Sequence, residues 1–180
     1  MTTTPEVIEL HAVAHPSTQV RRAGFPLDHP YLKQCWARLI GHSSVLLLRH
    51  WVSLWRDATP AQVPTEDLAR QIGLGRGTGR LSPLWHTIER VVHFRFASAS
   101  TPGELDIYTE VPPVPDRQLD RLPTWSRDQH ERLLSQHLDG LVRSAGQAPT
   151  PSEPPPHVRM AQHLDRLTNH AAVSAPTLGR

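Results

Sequence analysis

The sequence has 180 residues, which is enough for one well-buried domain with additional extensions. Hydrophobic residues make up 38% of the chain and 18 residues are proline, so we expect part of the chain to lie outside the packed core. The formal net charge of +2 gives nucleic acids only a weak overall attraction. A single cysteine, Cys35, excludes an intrachain disulfide and a multi-cysteine zinc site.

Neither a signal peptide nor a membrane span is predicted. The amino-terminal residues MTTTPEVIEL lack a basic region and an apolar region, and no run approaches the roughly 18 apolar residues of a membrane span. We therefore expect a cytoplasmic protein that does not enter a membrane.

Residues 1–24 are predicted to be an amino-terminal extension with one strand. Its apolar residues alternate along the chain, which favours a half-buried strand that could add to the edge of a later hairpin: Ile8, Leu10, Ala12 and Ala14. Gly24 and Pro26 then interrupt the chain.

Two helices are predicted next. The first covers about residues 30–40 and ends at Gly41, with Cys35 as a buried thiol on its apolar face. The second covers about residues 43–56 and is apolar on nearly every side, so it belongs in the centre of the core or at an interface such as that of a homodimer. Residues 57–64 are predicted to be a loop.

The stretch that follows has the signals of a helix-turn-helix. Thr65 is a capping type of residue followed by two acids, and Gly73 marks the predicted end of this helix. Ser82 and Pro83 predict the start of a second helix. The core-facing positions of the second helix recur at helical spacing: Leu84, Ile88, Val91 and Val92.

After His93 the hydrophobic period changes from about 3.6 to about 2, which indicates strands. Residues 94–97 and 105–111 are predicted to form a hairpin around a polar loop. Helix, turn, helix and hairpin is the order of a winged helix-turn-helix, to which we assign residues 25–115. The predicted fold class is mostly α with a small β-hairpin.

The remaining residues are predicted to lie outside this domain. Residues 116–145 form a helical extension, and residues 146–180 combine a Pro-rich linker with a marginal helix over residues 158–173. Because that last helix is marginal alone, we expect it to be frayed and to fold mainly on a partner, if at all.

The glycine-rich run between the two helices does not match a nucleotide-binding motif. Its glycines depart from the dinucleotide fingerprint, and the Gly-Lys-Ser/Thr ending of a phosphate loop is absent. We predict an extended turn in which Arg76 and Arg80 meet phosphate beside a helix terminus. The alternative is a loop whose arginines are merely solvated.

The helix at residues 83–93 is the element that would enter the major groove, with Trp85 more typical of packing than of base contact. The candidate DNA contacts, including a basic arm before the first helix, are Arg76, Thr78, Arg80, Ser82, His86, Thr87, Arg90, Arg21 and Arg22. The strongest objection is the acidic wing with Glu104, Asp106 and Glu110, because DNA affinity depends on neutralising phosphates.

No metal, cofactor or catalytic site is predicted. His130 and His137 lie two helical turns apart, as do His163 and His170, which is too far for shared coordination. Residues 126–130 contain the side-chain types of a catalytic triad, but neighbours on one helix cannot converge. We therefore expect a protein that is not an enzyme.

Three segments resemble a group of actinobacterial winged helix-turn-helix DNA-binding proteins: HPYLKQCWARLIG, PTEDLARQIGLGRGTGRLSPLWHTIERVVHFRF and VPPVPDRQLDRLP. The resemblance covers roughly residues 29–123, and the glycine-rich turn followed by Ser82-Pro83-Leu84 is its most specific part. It implies a winged helix fold and DNA binding, from which the acidic wing is a departure.

The leading hypothesis is therefore a transcriptional regulator that binds double-stranded DNA through residues 83–93. The alternative is a winged helix protein-interaction module or a subunit of a larger assembly. In that case the protein partner binds the Pro-rich tail or the apolar helix at residues 43–56.

Overall fold

Strand β1 (Val7–Val13) lies inside a four-stranded sheet in the computed structural model, which describes residues 4–146. It pairs antiparallel with β3 (Ala61–Pro64) on one side and parallel with β5 (Glu104–Tyr108) on the other. The short strand β4 (Ala97–Ser98) completes the sheet antiparallel to β5. The architecture is mixed α/β, and its sheet joins three parts of the chain that are distant in sequence.

The predicted amino-terminal strand is present, and its alternating pattern explains its burial. Ile8 and Leu10 are fully buried, whereas Ala14 lies beyond the strand and is exposed. As predicted, the strand adds to the edge of the hairpin, where it pairs parallel with β5. The strand β3 corrects the prediction of a loop over residues 57–64. Local signals there are dominated by prolines, and only pairing with a distant strand makes this segment extended.

Both helices predicted before the helix-turn-helix are present. The first contains a π-helical stretch (Leu32–Trp36) that continues directly into α2 (Ala37–Ile40). Gly41 then separates it from α3 (His42–Leu54) with a φ of +84°, a left-handed conformation that favours glycine.

Helix α3 supplies much of the core. Leu47, Leu48 and Trp51 are fully buried, and the Trp55 indole N–H donates to the Leu10 carbonyl of β1 at 3.2 Å. The apolar sequence of this helix is therefore explained mainly by burial within the same chain.

Helices α4 (Thr65–Gln71) and α5 (Pro83–His93) form at the predicted places. Thr65, however, is the first residue of α4 and forms no capping hydrogen bond. Its Oγ1 donates to the Pro5 carbonyl at 2.6 Å, and its N–H donates to the Glu6 carbonyl at 2.8 Å. Thr65 therefore attaches the residues before β1 to α4, a contact that local sequence cannot indicate.

The first predicted hairpin strand is wrong over most of its length. Phe94 follows the end of α5, and Arg95 turns the chain with a φ of +60°, so that only Ala97 of residues 94–97 belongs to β4. Phe96 is nevertheless fully buried. The alternation in this segment thus reflects a turn that inserts one aromatic ring into the core.

The second predicted hairpin strand, residues 105–111, is divided between two sheets. After β5 ends, β6 (Glu110–Val111) pairs with β2 (Phe25–Pro26) in a separate two-stranded sheet. A short helix, α1 (Thr18–Ala23), connects β1 to β2. The strand β6 therefore does not extend the hairpin that β4 and β5 form.

Helices α6 (Asp116–Leu119) and α7 (Thr124–Gly146) correspond to the predicted helical extension. The described residues up to Leu141 belong to one compact unit. The predicted Pro-rich linker and marginal helix lie outside the described residues. Within residues 4–146, no helix is long and apolar enough to cross a membrane.

A buried polar contact attaches α7 to the core. The Tyr31 hydroxyl oxygen accepts the Val114 N–H at 2.8 Å and lies 2.5 Å from Nδ1 of His130. Which of the two groups donates depends on the tautomer of the His130 ring. Burial lowers the pKa of His130, although Glu131 and Asp116 act in the opposite direction.

We predict that His130→Asn flattens the loss of stability at acidic pH. Because the pKa of His130 is lower in the folded chain, the unfolded chain binds the proton first, and stability is lost as the pH falls below about 6.5. Urea unfolding between pH 7 and pH 5 measures this slope. The exposed His42 provides the control variant His42→Asn. Equal slopes in both variants would contradict the role of His130.

Candidate functional site

The second helix of the motif, α5, is fixed by its cap and by its buried side. The Ser82 hydroxyl accepts the Trp85 N–H at 3.4 Å, and Pro83 occupies the first turn. Leu84, Ile88 and Val91 are buried, as the spacing predicts. The opposite side presents these exposed residues to solvent: Pro83, His86, Glu89, Arg90 and His93.

Hydrogen bonds hold the turn before α5 in place, among them the bond from the Ser82 N–H to the Gly79 carbonyl at 2.8 Å. The Trp85 indole N–H donates to the Thr78 carbonyl at 2.9 Å. Gly75 has a φ of +83°, which favours glycine at this position. Arg76 and Arg80 are both exposed, and within residues 4–146 neither guanidinium forms a hydrogen bond or an ion pair. The turn therefore presents two unneutralised charges ahead of α5.

Two of the predicted DNA contacts are buried and use their hydroxyls in hydrogen bonds within the chain. Thr87 is 5% exposed, and its hydroxyl donates to the Pro83 carbonyl at 2.7 Å. Ser82 is 8% exposed and uses its hydroxyl as the helix cap. Thr78 is half-buried, and its carbonyl accepts the indole proton. These residues position the helix and the turn, because each acts through an internal hydrogen bond.

The predicted basic arm lies at the other end of the sheet. Arg21 and Arg22 follow the carboxyl end of β1, whereas Arg80 lies with Pro5 near its amino end. The seven residues of β1 span roughly 23 Å. Arg21 also donates to the His15 carbonyl at 3.1 Å. The structure therefore does not bring the arm together with the turn.

Arg90 lies over the junction between α2 and α3. A side chain at Gly41 would place its Cβ 2.9 Å from Nη1 of Arg90, so the guanidinium occupies the space that this glycine leaves. His86 lies on the exposed side with its Nδ1 3.6 Å from the Glu89 carboxylate. The exposed side of α5 thus carries both signs of charge.

Of the three acids in the predicted wing, one is exposed and two are half-buried. The Asp106 carboxylate accepts from the Ser98 hydroxyl at 3.4 Å, and Glu110 accepts the His15 N–H at 2.8 Å. Glu110 belongs to β6 and therefore lies beyond the hairpin. Glu104 remains exposed at the start of β5, next to the loop.

An open cavity of about 430 Å³ lies between α5, the hairpin loop and the residues before β1. Its lining includes Pro5, Ile8, Trp85, Glu89 and Glu104. The sequence indicates Trp85 as a packing residue but gives no sign of Pro5 and Ile8, because the parallel pairing of β1 brings them to α5.

The described residues offer little to metal or thiol chemistry. No group of three histidine, cysteine, aspartate or glutamate side chains within residues 4–146 is arranged to hold a metal ion. His137 is engaged with the Gly24 carbonyl at 3.1 Å. Burial raises the pKa of the Cys35 thiol to about 12.

Comparisons with known proteins add no functional information. No protein-family model, no curated protein and no solved structure matches the chain. The arrangement itself has two chemical capacities. The turn before α5 can neutralise an anion, and the cavity can enclose a small apolar group.

We predict that Thr87→Val lowers the free energy of unfolding by about 1 kcal/mol, because one buried hydrogen bond is lost in a side chain of similar shape. Urea unfolding measures this change. Any binding at the exposed side of α5 should remain unchanged, with Thr109→Val as a control for loss of a half-buried threonine hydroxyl. A variant that folds with wild-type stability but loses binding would contradict the internal role of Thr87.

Proposed function

We propose that the chain is a winged helix protein that binds double-stranded DNA and regulates transcription, with α5 in the major groove. The order α3, β3, α4, α5, β4, β5 supports this proposal, because it is the order of helices and strands in that fold. The observation that carries it is the pair of exposed arginines, Arg76 and Arg80, in the turn before α5, neither of which is paired with a carboxylate among residues 4–146.

The proposed division of roles follows from the position of each side chain. Arg76 and Arg80 would contact phosphates beside the start of α5. His86 and Arg90, farther along the exposed side, would reach base edges or the phosphates of the second strand. Residues 99–103 contain no lysine or arginine, so the hairpin loop would contribute little to affinity.

Glu89 opposes this function. It lies on the exposed side of α5 beside His86, where a major groove would surround it with phosphates. A carboxylate in that position lowers affinity, and the small net charge of the chain offers little compensation. We therefore expect weak binding with a marked dependence on salt.

We predict that the double variant Arg76→Ala/Arg80→Ala weakens DNA binding about tenfold or more at low salt. The slope of log K against log salt should fall by about 0.9 for each phosphate contact removed. Fluorescence anisotropy on genomic and random duplexes measures both quantities. Arg117→Ala/Arg121→Ala removes two other exposed arginines as the control. An equal loss of affinity in the control would show that the effect comes from net charge and not from the turn. Absence of binding by the wild-type chain at low salt would contradict the proposal.

We predict that Glu89→Gln strengthens DNA binding several-fold, because it removes a like charge from the contact surface while keeping the side-chain shape. The same anisotropy series measures it. Glu131→Gln on α7 is the matched control and should leave the affinity unchanged. Weaker binding of Glu89→Gln would show that the exposed side of α5 does not meet phosphates.

A protein-interaction module, or a subunit of a larger assembly, is the second candidate. Exposed large apolar side chains favour it: Leu81 is 84% exposed in the turn before α5, and Trp125 is 58% exposed on α7. The apolar helix α3 contributes less than its sequence suggests, since Leu46 alone among its leucines is half-exposed.

Affinity purification from the native host after nuclease treatment separates the two candidates, and light scattering tests for a homodimer. A stoichiometric partner that is lost from Leu81→Ser or Trp125→Ser would support the interaction module. Deletion of residues 147–180 tests the predicted role of the Pro-rich tail. Unchanged partner recovery from that deletion would contradict the role of the tail, and unchanged recovery from all variants would contradict these surfaces.

A further inference from the structure

The cavity beside α5 is built from four separate parts of the chain. Pro5 and Ile8 come from the amino-terminal segment, Arg80 comes from the turn before α5, Trp85 and Glu89 come from α5, and residues 99–105 come from the hairpin. Its volume of about 430 Å³ lies within the range of pockets that hold small organic molecules, roughly 300–1,000 Å³. It is therefore large enough for a ligand built on one or two rings.

Apolar side chains line the cavity. Pro5 and Pro102 lie at its surface, whereas Ile8 is fully buried and Leu105 is 3% exposed, so these two lie beneath it. Trp85 is half-buried, and its indole N–H is already donated to the Thr78 carbonyl. A ligand would therefore meet the indole through its ring carbons. Such a surface favours an apolar or aromatic body.

The charged residues that line the cavity determine which ligand charge is favoured. Glu89 and Glu104 both line the cavity and both are exposed, whereas Arg80 is the only cation among the lining residues described. Two carboxylates against one guanidinium favour a cation over an anion. An indole ring beside carboxylates further favours an ammonium group, because the face of the ring attracts positive charge.

We propose that this cavity is a binding site for a small organic cation with an apolar or aromatic body. The body packs on Pro5, Pro102 and the Trp85 ring, and the ammonium group pairs with the Glu89 and Glu104 carboxylates. Because the ligand contacts both α5 and the hairpin, it fixes the loop against the helix. The site does not depend on DNA binding by the chain.

Three probes with the same aromatic body and different charge test the proposal on the full chain. Phenethylammonium, 2-phenylethanol and 3-phenylpropionate are titrated by calorimetry, with Trp fluorescence of wild-type and Trp85→Phe chains as a second signal. We expect phenethylammonium to bind about tenfold more tightly than the alcohol, with the anion weakest. Trp85→Phe should remove most of the fluorescence change. Equal affinity for the ammonium and the alcohol, or an anion that binds best, would overturn the proposal.

Charge variants identify the residues responsible. Glu89→Gln/Glu104→Gln should lower phenethylammonium affinity about tenfold and leave the affinity for the alcohol unchanged. Arg80→Gln should raise the ammonium affinity by removing a like charge. The control Asp57→Asn/Asp120→Asn removes two exposed carboxylates outside the lining and should have no effect. A loss in the control equal to that in the test variant would overturn the site. Circular dichroism melting confirms that each variant is folded.

The outcome is separable from that of the DNA experiments. Glu89→Gln is expected to weaken ammonium binding and to strengthen DNA binding, so one variant gives opposite signs for the two surfaces. Ammonium binding without DNA binding would support the cavity alone. DNA binding with equal affinity for all three probes would support the helix surface and overturn the cavity.

Discussion

The insertion of β1 between β3 and β5 is the constraint on which the described fold depends. Backbone hydrogen bonds satisfy both edges of this strand, and the Leu10 carbonyl accepts the indole N–H of Trp55, which follows α3. If β1 did not insert here, the facing edges of β3 and β5 would be left unpaired. The two apolar side chains of β1 that are now buried, Ile8 and Leu10, would be exposed to solvent. The amino-terminal residues are thus a structural member of the sheet.

This insertion also determines the surroundings of α5. The contact of Thr65 with Pro5 holds the segment before β1, and the Glu9 N–H donates to the Gly103 carbonyl at the hairpin loop. The loop is therefore tied to the amino-terminal segment on the same side of the sheet as the turn before α5. The cavity lies between these connected segments and α5. The same geometry separates Arg21 and Arg22 from Arg80 by the length of a strand.

For binding at α5, the charges close to the helix matter more than the net charge of +2. The turn presents two arginines without partners in the described chain, whereas the exposed side of the helix carries Glu89 beside His86. Arg70, on α4, is already paired with Glu66 at 2.6 Å and contributes little free charge. The proposed DNA surface and the proposed ligand site share Glu89, so the two functions place opposite demands on one carboxylate.

The sequence by itself determined the elements whose causes are local. Ser82 and Pro83 specify the start of α5, and the spacing of Leu84, Ile88 and Val91 specifies its buried side. The tertiary structure alone decided what depends on distant partners: the strand β3 and the cavity that Pro5 and Trp85 line. Helix caps and periodicity act between residues a few positions apart, whereas strand pairing and cavity formation join segments that the linear order keeps far from each other.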